Sequence, residues 1–285
     1  MNFTKLQGLG NDFVLIDARN MPGISFAELA QRMCPRRFGV GSDGLLVLLS
    51  SPSAGFRMRM FNPDGSEAEA CGNGLRCLVR YIAAKGFNQS DRFLIETMAG
   101  IRKAELIRQG SEVSLIKVSM GTPSFEPESL PVAAEAEQGR TFDIMIGDYP
   151  LTVDSVNLKL NFVSMGNPHA VYFTDTPISE FPLAAIGPKV EKNNLFPRGV
   201  NFEVVHMSGP DKCEMRVWER GAGETLACGS GACAIAVAAR LRGLAGDVLK
   251  INLPGGLAEI AWDGQGEVWL TGPAEVVFTG EWPEE

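Results

Sequence analysis

Two cysteines, Cys71 and Cys228, stand in nearly the same short context, ACGNG (70–74) and ACGSG (227–231), each directly before an apolar run. A thiol is useful in proton transfer only when part of it is thiolate near neutral pH, and free cysteine, with a pKa of about 8.5, is mostly protonated. The spacing predicts that each cysteine opens a helix, where unpaired N–H groups and the macrodipole favour anions; cysteine values at such places fall to roughly 3.5–7.5. The flanking glycines let backbone N–H groups approach a carboxylate closely. Two such turns would cradle an amino-acid α-carboxylate and leave its Cα between two sulfurs, one removing the proton and the other returning it from the far side. Two adjacent thiolates repel, so the expectation is one thiol and one thiolate with a coupled titration.

Competing uses of these residues are weaker. Cys34, Cys77, Cys213 and Cys233 read as small buried hydrophobes. A redox dithiol is disfavoured because the chain has no CxxC and the two cysteines are 157 residues apart. Only two histidines, His169 and His206, could complete a metal shell, so no metal is expected, and inversion by two thiols calls for no cofactor. A formal net charge of −8 without a Lys/Arg-rich run removes the footprint of a nucleic-acid binder. The start lacks a basic region followed by a long apolar stretch, and runs such as LLVLL (45–49) are too short to span a bilayer. The reading is a cytoplasmic protein with a small amino-acid substrate and neither nucleic-acid nor membrane partners.

The elements that must hold the cysteines occur twice. Sliding residues 58–86 along by 157 sets MRMFNPDGSEAEACGNGLRCLVRYIAAKG over MRVWERGAGETLACGSGACAIAVAARLRG, with eight of 29 positions identical, including Arg59/Arg216, Glu67/Glu224 and Cys71/Cys228. At an offset of 156, LGNDFVLI (9–16) lies over MGNPHAVY (165–172) and pairs Asn11 with Asn167. Short apolar runs at 12–17, 44–49 and 56–61 predict strands. Residues 75–85 and 232–242 predict mostly buried helices closed by Gly86 and Gly243. The order strand, loop, glycine, helix in each copy points to α/β-type domains facing one another across a pseudo-two-fold cleft. GTPSFEPESLPVAAEAEQG (121–139), rich in Pro, Glu and Ser, is the best linker. The expected domains are 1–125, joined by 273–285, and 126–272.

Five motifs, GLGNDFV (8–14), FNPDGSEAEACGNG (61–74), MGNPHAV (165–171), GVNFEVV (199–205) and ERGAGETLACGSG (219–231), together resemble the diaminopimelate epimerase family over essentially the whole chain. The resemblance implies an α+β fold of two pseudo-symmetric domains, each a mixed, mainly antiparallel sheet wrapped around a central helix, with the active site in the inter-domain cleft. It implies pyridoxal-independent interconversion of LL- and meso-diaminopimelate, on the route to lysine and peptidoglycan, by a homodimer. Cys71 and Cys228 take the acid/base roles, with His169 and Glu219 tuning them. Asn11, Asn62, Asn167, Asn201 and Arg220 hold substrate polar groups, Gly72, Asn73, Gly229 and Ser230 bind the reacting carboxylate, and Glu219 meets the α-ammonium. Some members carry glutamine at the position of Gly44, and some carry tyrosine at that of Phe278, in the dimer interface. The rival readings are a proline or hydroxyproline racemase, against which Asn62, Asn201 and Arg220 speak, and a binding protein or phenazine-type isomerase that keeps the fold without the cysteine pair.

Overall fold

The structure, a computed structural model, describes residues 1–68, 71–126, 128–133, 139–142 and 144–283. The chain forms two compact units, Met1–Ser119 with Thr271–Glu285, and Met120–Leu270.

The first unit contains β1 (Asn2–Gly8), β2 (Asn11–Asp17), α1 (Phe26–Met33), β3 (Gly44–Ser51), β4 (Gly55–Phe61), β5 (Glu67–Ala68), α2 (Gly72–Ala84), β6 (Arg92–Thr97), β7 (Gly100–Gln109) and β8 (Glu112–Gly121). The second contains β9 (Arg140–Phe142), β10 (Met145–Gly147), β11 (Tyr149–Val153), β12 (Val156–Ser164), β13 (Pro168–Phe173), α3 (Leu183–Glu191), β14 (Asn201–Gly209), β15 (Lys212–Glu219), β16 (Gly223–Glu224), α4 (Gly229–Leu241), β17 (Val248–Leu253), β18 (Gly256–Ala261) and β19 (Val268–Gly272). β20 (Glu275–Glu281) returns to the first unit and pairs antiparallel with β1.

The repeat seen in sequence is a repeat of topology. In the first unit β1–β2 and β3–β4 are antiparallel, whereas β2–β3 and β4–β6 are parallel. In the second, β12–β13 and β14–β15 are antiparallel, whereas β13–β14 and β15–β17 are parallel. Each unit is thus a mixed, mainly antiparallel sheet around one helix. No helix among the described residues is long and apolar enough to cross a membrane.

Both central helices follow from composition. In α2, Leu75, Leu78, Val79 and Ile82 recur at helical spacing and are buried against β1 to β4. Each large apolar side chain so covered stabilises by about 1.5–3 kcal/mol. In α4 every residue from Gly231 to Ala239 is buried, which alanine permits at no side-chain entropy cost. Gly86 and Gly243, at φ +66° and +71°, supply the left-handed residue that ends each helix. The helices begin with Gly72 and Gly229, three residues ahead of the expected starts.

The identities outside the cysteine turn also have a physical cause. Arg59 donates two bonds to Glu67, both 2.7 Å, and Arg216 donates two to Glu224, 2.8 and 3.1 Å. Each bidentate pair fastens the short strand that leads toward a cysteine to its neighbour. Ala70, identical to Ala227 in the alignment, lies outside the described residues, as do 127 and 134–138 of the expected linker. The described part of that linker packs within the second unit: Leu130 is in its core, and Ala133 N–H donates to Leu195 O, 2.8 Å.

Candidate active site

Cys71 and Cys228 are the N-cap residues of α2 and α4, both in extended backbone (φ −144°, ψ 113°; φ −112°, ψ 107°). Each sulfur accepts from an N–H two residues into its helix, Gly74 for Cys71 and Gly231 for Cys228, at 3.4 Å in both cases. A cysteine thus does the work usually given to serine or aspartate, and the bond favours the thiolate.

Around Cys71 the structure gathers Asn11 and Asn73. Asn11 Oδ1 is 3.8 Å from the sulfur and accepts from Asn73 Nδ2 at 3.2 Å. Asp43, which sequence reasoning missed, fixes the Asn11 amide by accepting from its Nδ2 at 2.8 Å. Arg76, wholly buried one turn into α2, donates to Asn73 Oδ1, 2.8 Å, and stiffens the turn from behind. Asn62 sits in the turn after β4, where its Nδ2 donates to Ser66 Oγ, 2.9 Å. Gly44 is buried at the start of β3, and a Cβ there would stand 3.0 Å from Phe61 O and 3.2 Å from Met60 Cε. The glutamine found in some members would need those neighbours to move.

Around Cys228 the second unit gathers more polar groups. Ser230 Oγ is 3.6 Å from the sulfur and accepts from Asn167 Nδ2 at 3.3 Å. His169, fully buried, contacts Asn167 Oδ1 through Nε2, 2.9 Å, and Glu203 Oε1 through Nδ1, 2.6 Å. Asn201 ties two loops together, its Nδ2 donating to Pro168 O at 2.9 Å and its Oδ1 accepting from Arg220 N–H at 3.0 Å. Arg220 is exposed and donates to Arg198 O. Glu219 accepts from Thr225 Oγ1 and from the Cys228 thiol.

The electrostatics correct one expectation. The helix start was expected to lower the Cys228 thiol; instead burial pushes it well above its ordinary value, and the carboxylates of Glu219 and Glu203 push it further, against the opposing bonds from Ser230 and Gly231. Glu219 is itself raised, chiefly by burial. Desolvation wins because Cys228 is only 5% exposed, whereas the helix start contributes one 3.4 Å bond. Glu203 was the principal residue missed. Its signal was a lone carboxylate inside an apolar strand, NFEVV (201–205).

The family profile described as diaminopimelate epimerase matches residues 3–126 and 161–277. A diaminopimelate epimerase of Pelotomaculum thermopropionicum is 45% identical over 99% of both chains. One from Halothermothrix orenii is 43% identical over 99% of this chain and 97% of its own. Among solved structures, a hydroxyproline epimerase from Agrobacterium vitis shares the fold at a TM-score of 0.69, with 15% identity, 98% of this chain and 91% of that chain covered. A duplicated sheet-and-helix unit, each copy capped by a cysteine, together with these matches, defines an isomerase of the epimerase class. The chain belongs to the diaminopimelate epimerase family.

Proposed function

We propose that this protein interconverts LL- and meso-diaminopimelate without a cofactor, Cys71 and Cys228 acting on opposite faces of the substrate α-carbon. The observation that carries the reading is the matched pair of cysteine N-caps, one per repeat, each followed by glycine in the first turn. As the Cα–H bond breaks, charge grows on the α-carboxylate. The first-turn N–H groups at Gly72-Asn73 and Gly229-Ser230 are preorganised to meet it, an effect of about 3–4 kcal/mol per donor. Glu219 takes the α-ammonium. That cation neutralises the carboxylate that holds the Cys228 thiol high, so substrate binding itself brings Cys228 toward a usable acidity. Asn11, Asn62, Asn167, Asn201 and the exposed Arg220 serve the remaining polar groups, Arg220 the distal carboxylate. His169 tunes Cys228 through Asn167 and Ser230.

The same reading makes the protein a cytoplasmic homodimer. Val276, Val277 and Phe278, all exposed on β20, are apolar surface of the kind a second copy would cover. Sedimentation of the purified chain checks this.

The test of the reaction is deuterium uptake from heavy water into LL-diaminopimelate, with no pyridoxal phosphate or metal added. Exchange at one α-carbon with formation of the meso isomer is the expected result. Exchange into proline and none into diaminopimelate would overturn the assignment.

A further inference from the structure

The second unit contains a buried carboxylate that the proton transfer itself does not use. Glu203 lies in β14 and is wholly buried; Oε1 is 2.6 Å from His169 Nδ1, while Oε2 is buried without a hydrogen bond. A carboxylate so placed is costly, and the fold does not require one there. The parallel registers align Val171 with Glu203 and Leu15 with Leu46, so Leu46 is the corresponding residue of the first unit. Both residues press on the second glycine of a cysteine turn. A Cβ on Gly74 would meet Leu46 Cδ2 at 3.0 Å, and one on Gly231 would meet Glu203 Oε1 at 2.7 Å and Cys228 Sγ at 3.3 Å.

From Glu203 a line of hydrogen bonds runs to the cysteine. His169 Nε2–H donates to Asn167 Oδ1, which can only accept, and Nδ1 is 2.6 Å from Glu203 Oε1. Asn167 Nδ2 donates to Ser230 Oγ, which leaves the hydroxyl hydrogen of Ser230 for the Cys228 sulfur. A ring held by a carboxylate at Nδ1 and by an amide oxygen at Nε2 donates from both nitrogens.

We propose that Glu203 is a positioning residue: by holding His169 with N–H on both nitrogens, it sets the direction of the bonds through Asn167 and Ser230, so that a hydroxyl donor points at Cys228. The proposal rests on Cys228 being an acid/base group of the epimerisation. The charged groups facing Cys228 are Glu219 from β15, Glu203 from β14 and His169 from β13. Burial, Glu219 and the Glu203 carboxylate itself favour the thiol, and the Ser230 donor is the side-chain contact that favours the thiolate.

The experiment follows alkylation of Cys228 in the full chain by iodoacetamide, resolved by peptide mass spectrometry across mildly alkaline pH. It is paired with nitrogen NMR of histidine-labelled protein, in which only His169 and His206 report. Ser230→Ala is expected to slow alkylation about ten-fold at fixed pH, the loss that a thiol raised by about one unit gives below its midpoint. Glu203→Leu and Glu203→Gln both remove the carboxylate that favours the thiol, so the Leu variant, which installs the residue of the first unit, is read against the Gln variant: it should alkylate about ten-fold more slowly, and adding Ser230→Ala to it should cost less than about two-fold more. Glu203→Gln can donate to Nδ1 and keep Nε2–H on Asn167, so it should stay within about two-fold of the parent while His169 becomes neutral. The parent should show both nitrogens of His169 protonated. Full additivity of the Ser230 and Glu203 effects, or a lone pair on either ring nitrogen of His169 in the parent, overturns the proposal. If Glu203→Leu does not fold, the parent spectrum and Glu203→Gln still decide it. Alkylation needs no diaminopimelate, so this result and that of the deuterium assay fail independently.

Discussion

The two cysteine turns match in backbone and differ in what supports them. Cys71 and Cys228 cap their helices with the same geometry and the same 3.4 Å bond. The strands alongside carry Phe13 and Leu46 in the first unit, and His169 and Glu203 at the corresponding positions of the second. A cysteine N-cap followed by glycine therefore forms without a His–Glu pair in the adjacent strands, since the Cys71 turn has the same geometry beside Phe13 and Leu46. The buried His169–Glu203 pair is an addition on the Cys228 side, at positions where the first unit carries Phe13 and Leu46.

The largest effects test the shared part. Cys71→Ala and Cys228→Ala should each lower epimerase turnover by at least about a thousand-fold, the upper range for loss of a positioned acid or base. Both should retain the parent's cooperative thermal transition. Substantial turnover in either variant would break the two-base symmetry. Smaller effects test the difference. Gly231→Ala drives a methyl against a buried carboxylate at 2.7 Å, whereas Gly74→Ala drives one against the end of a leucine side chain at 3.0 Å. In urea unfolding the first should cost about 2–3 kcal/mol and the second about 1 kcal/mol. Equal costs would mean that the floors of the two turns yield alike.

Much of this was legible in the sequence because it is carried by local signals. The cysteine turns, the closing glycines at 86 and 243 and the two Arg–Glu staples all recur at one offset, and each reflects a short-range requirement of backbone or hairpin. The strands at 11–17, 44–51 and 55–61 were plain from their apolar runs. What escaped depends on pairing across the sheet. Glu203 becomes a partner of His169 only because β13 and β14 run parallel with His169 opposite Asn201. Asp43 reaches Asn11 only through the loop before β3. The segment after Gly121 read as a linker by composition, and Leu130, its anchor in the core, is one apolar residue among Pro, Glu and Ser. The Cys228 acidity went the other way from the helix-start argument because burial is a tertiary quantity.

The smallest expected effect concerns acid stability, and it too divides the units. Asp12 follows Asn11 and holds the half-buried ion network of the first unit; its counterpart in the second is Pro168, which carries no charge. Asp12 pairs with Lys5 at 2.6 Å and with Arg36 at 2.7 Å. Burial alone would raise its carboxyl, but Arg36 and Lys5 outweigh burial and bring it down to about 2. A carboxylate lowered on folding contributes stability above its unfolded value and loses it as the pH falls through the folded one. The contribution of Asp12, about 1–2 kcal/mol, should therefore be complete above about pH 4 and fade toward pH 2. Glu219 in the second unit, raised by burial, has the opposite sign: its contribution is present below the ordinary carboxylate range and is lost as the pH rises through its folded value. Urea unfolding at a series of acidic pH values should show a flatter acid limb in Asp12→Asn and a steeper net rise of stability with pH in Glu219→Gln. An unchanged acid limb in Asp12→Asn would mean that Lys5 and Arg36 find other partners, and that acid sensitivity does not separate the two units.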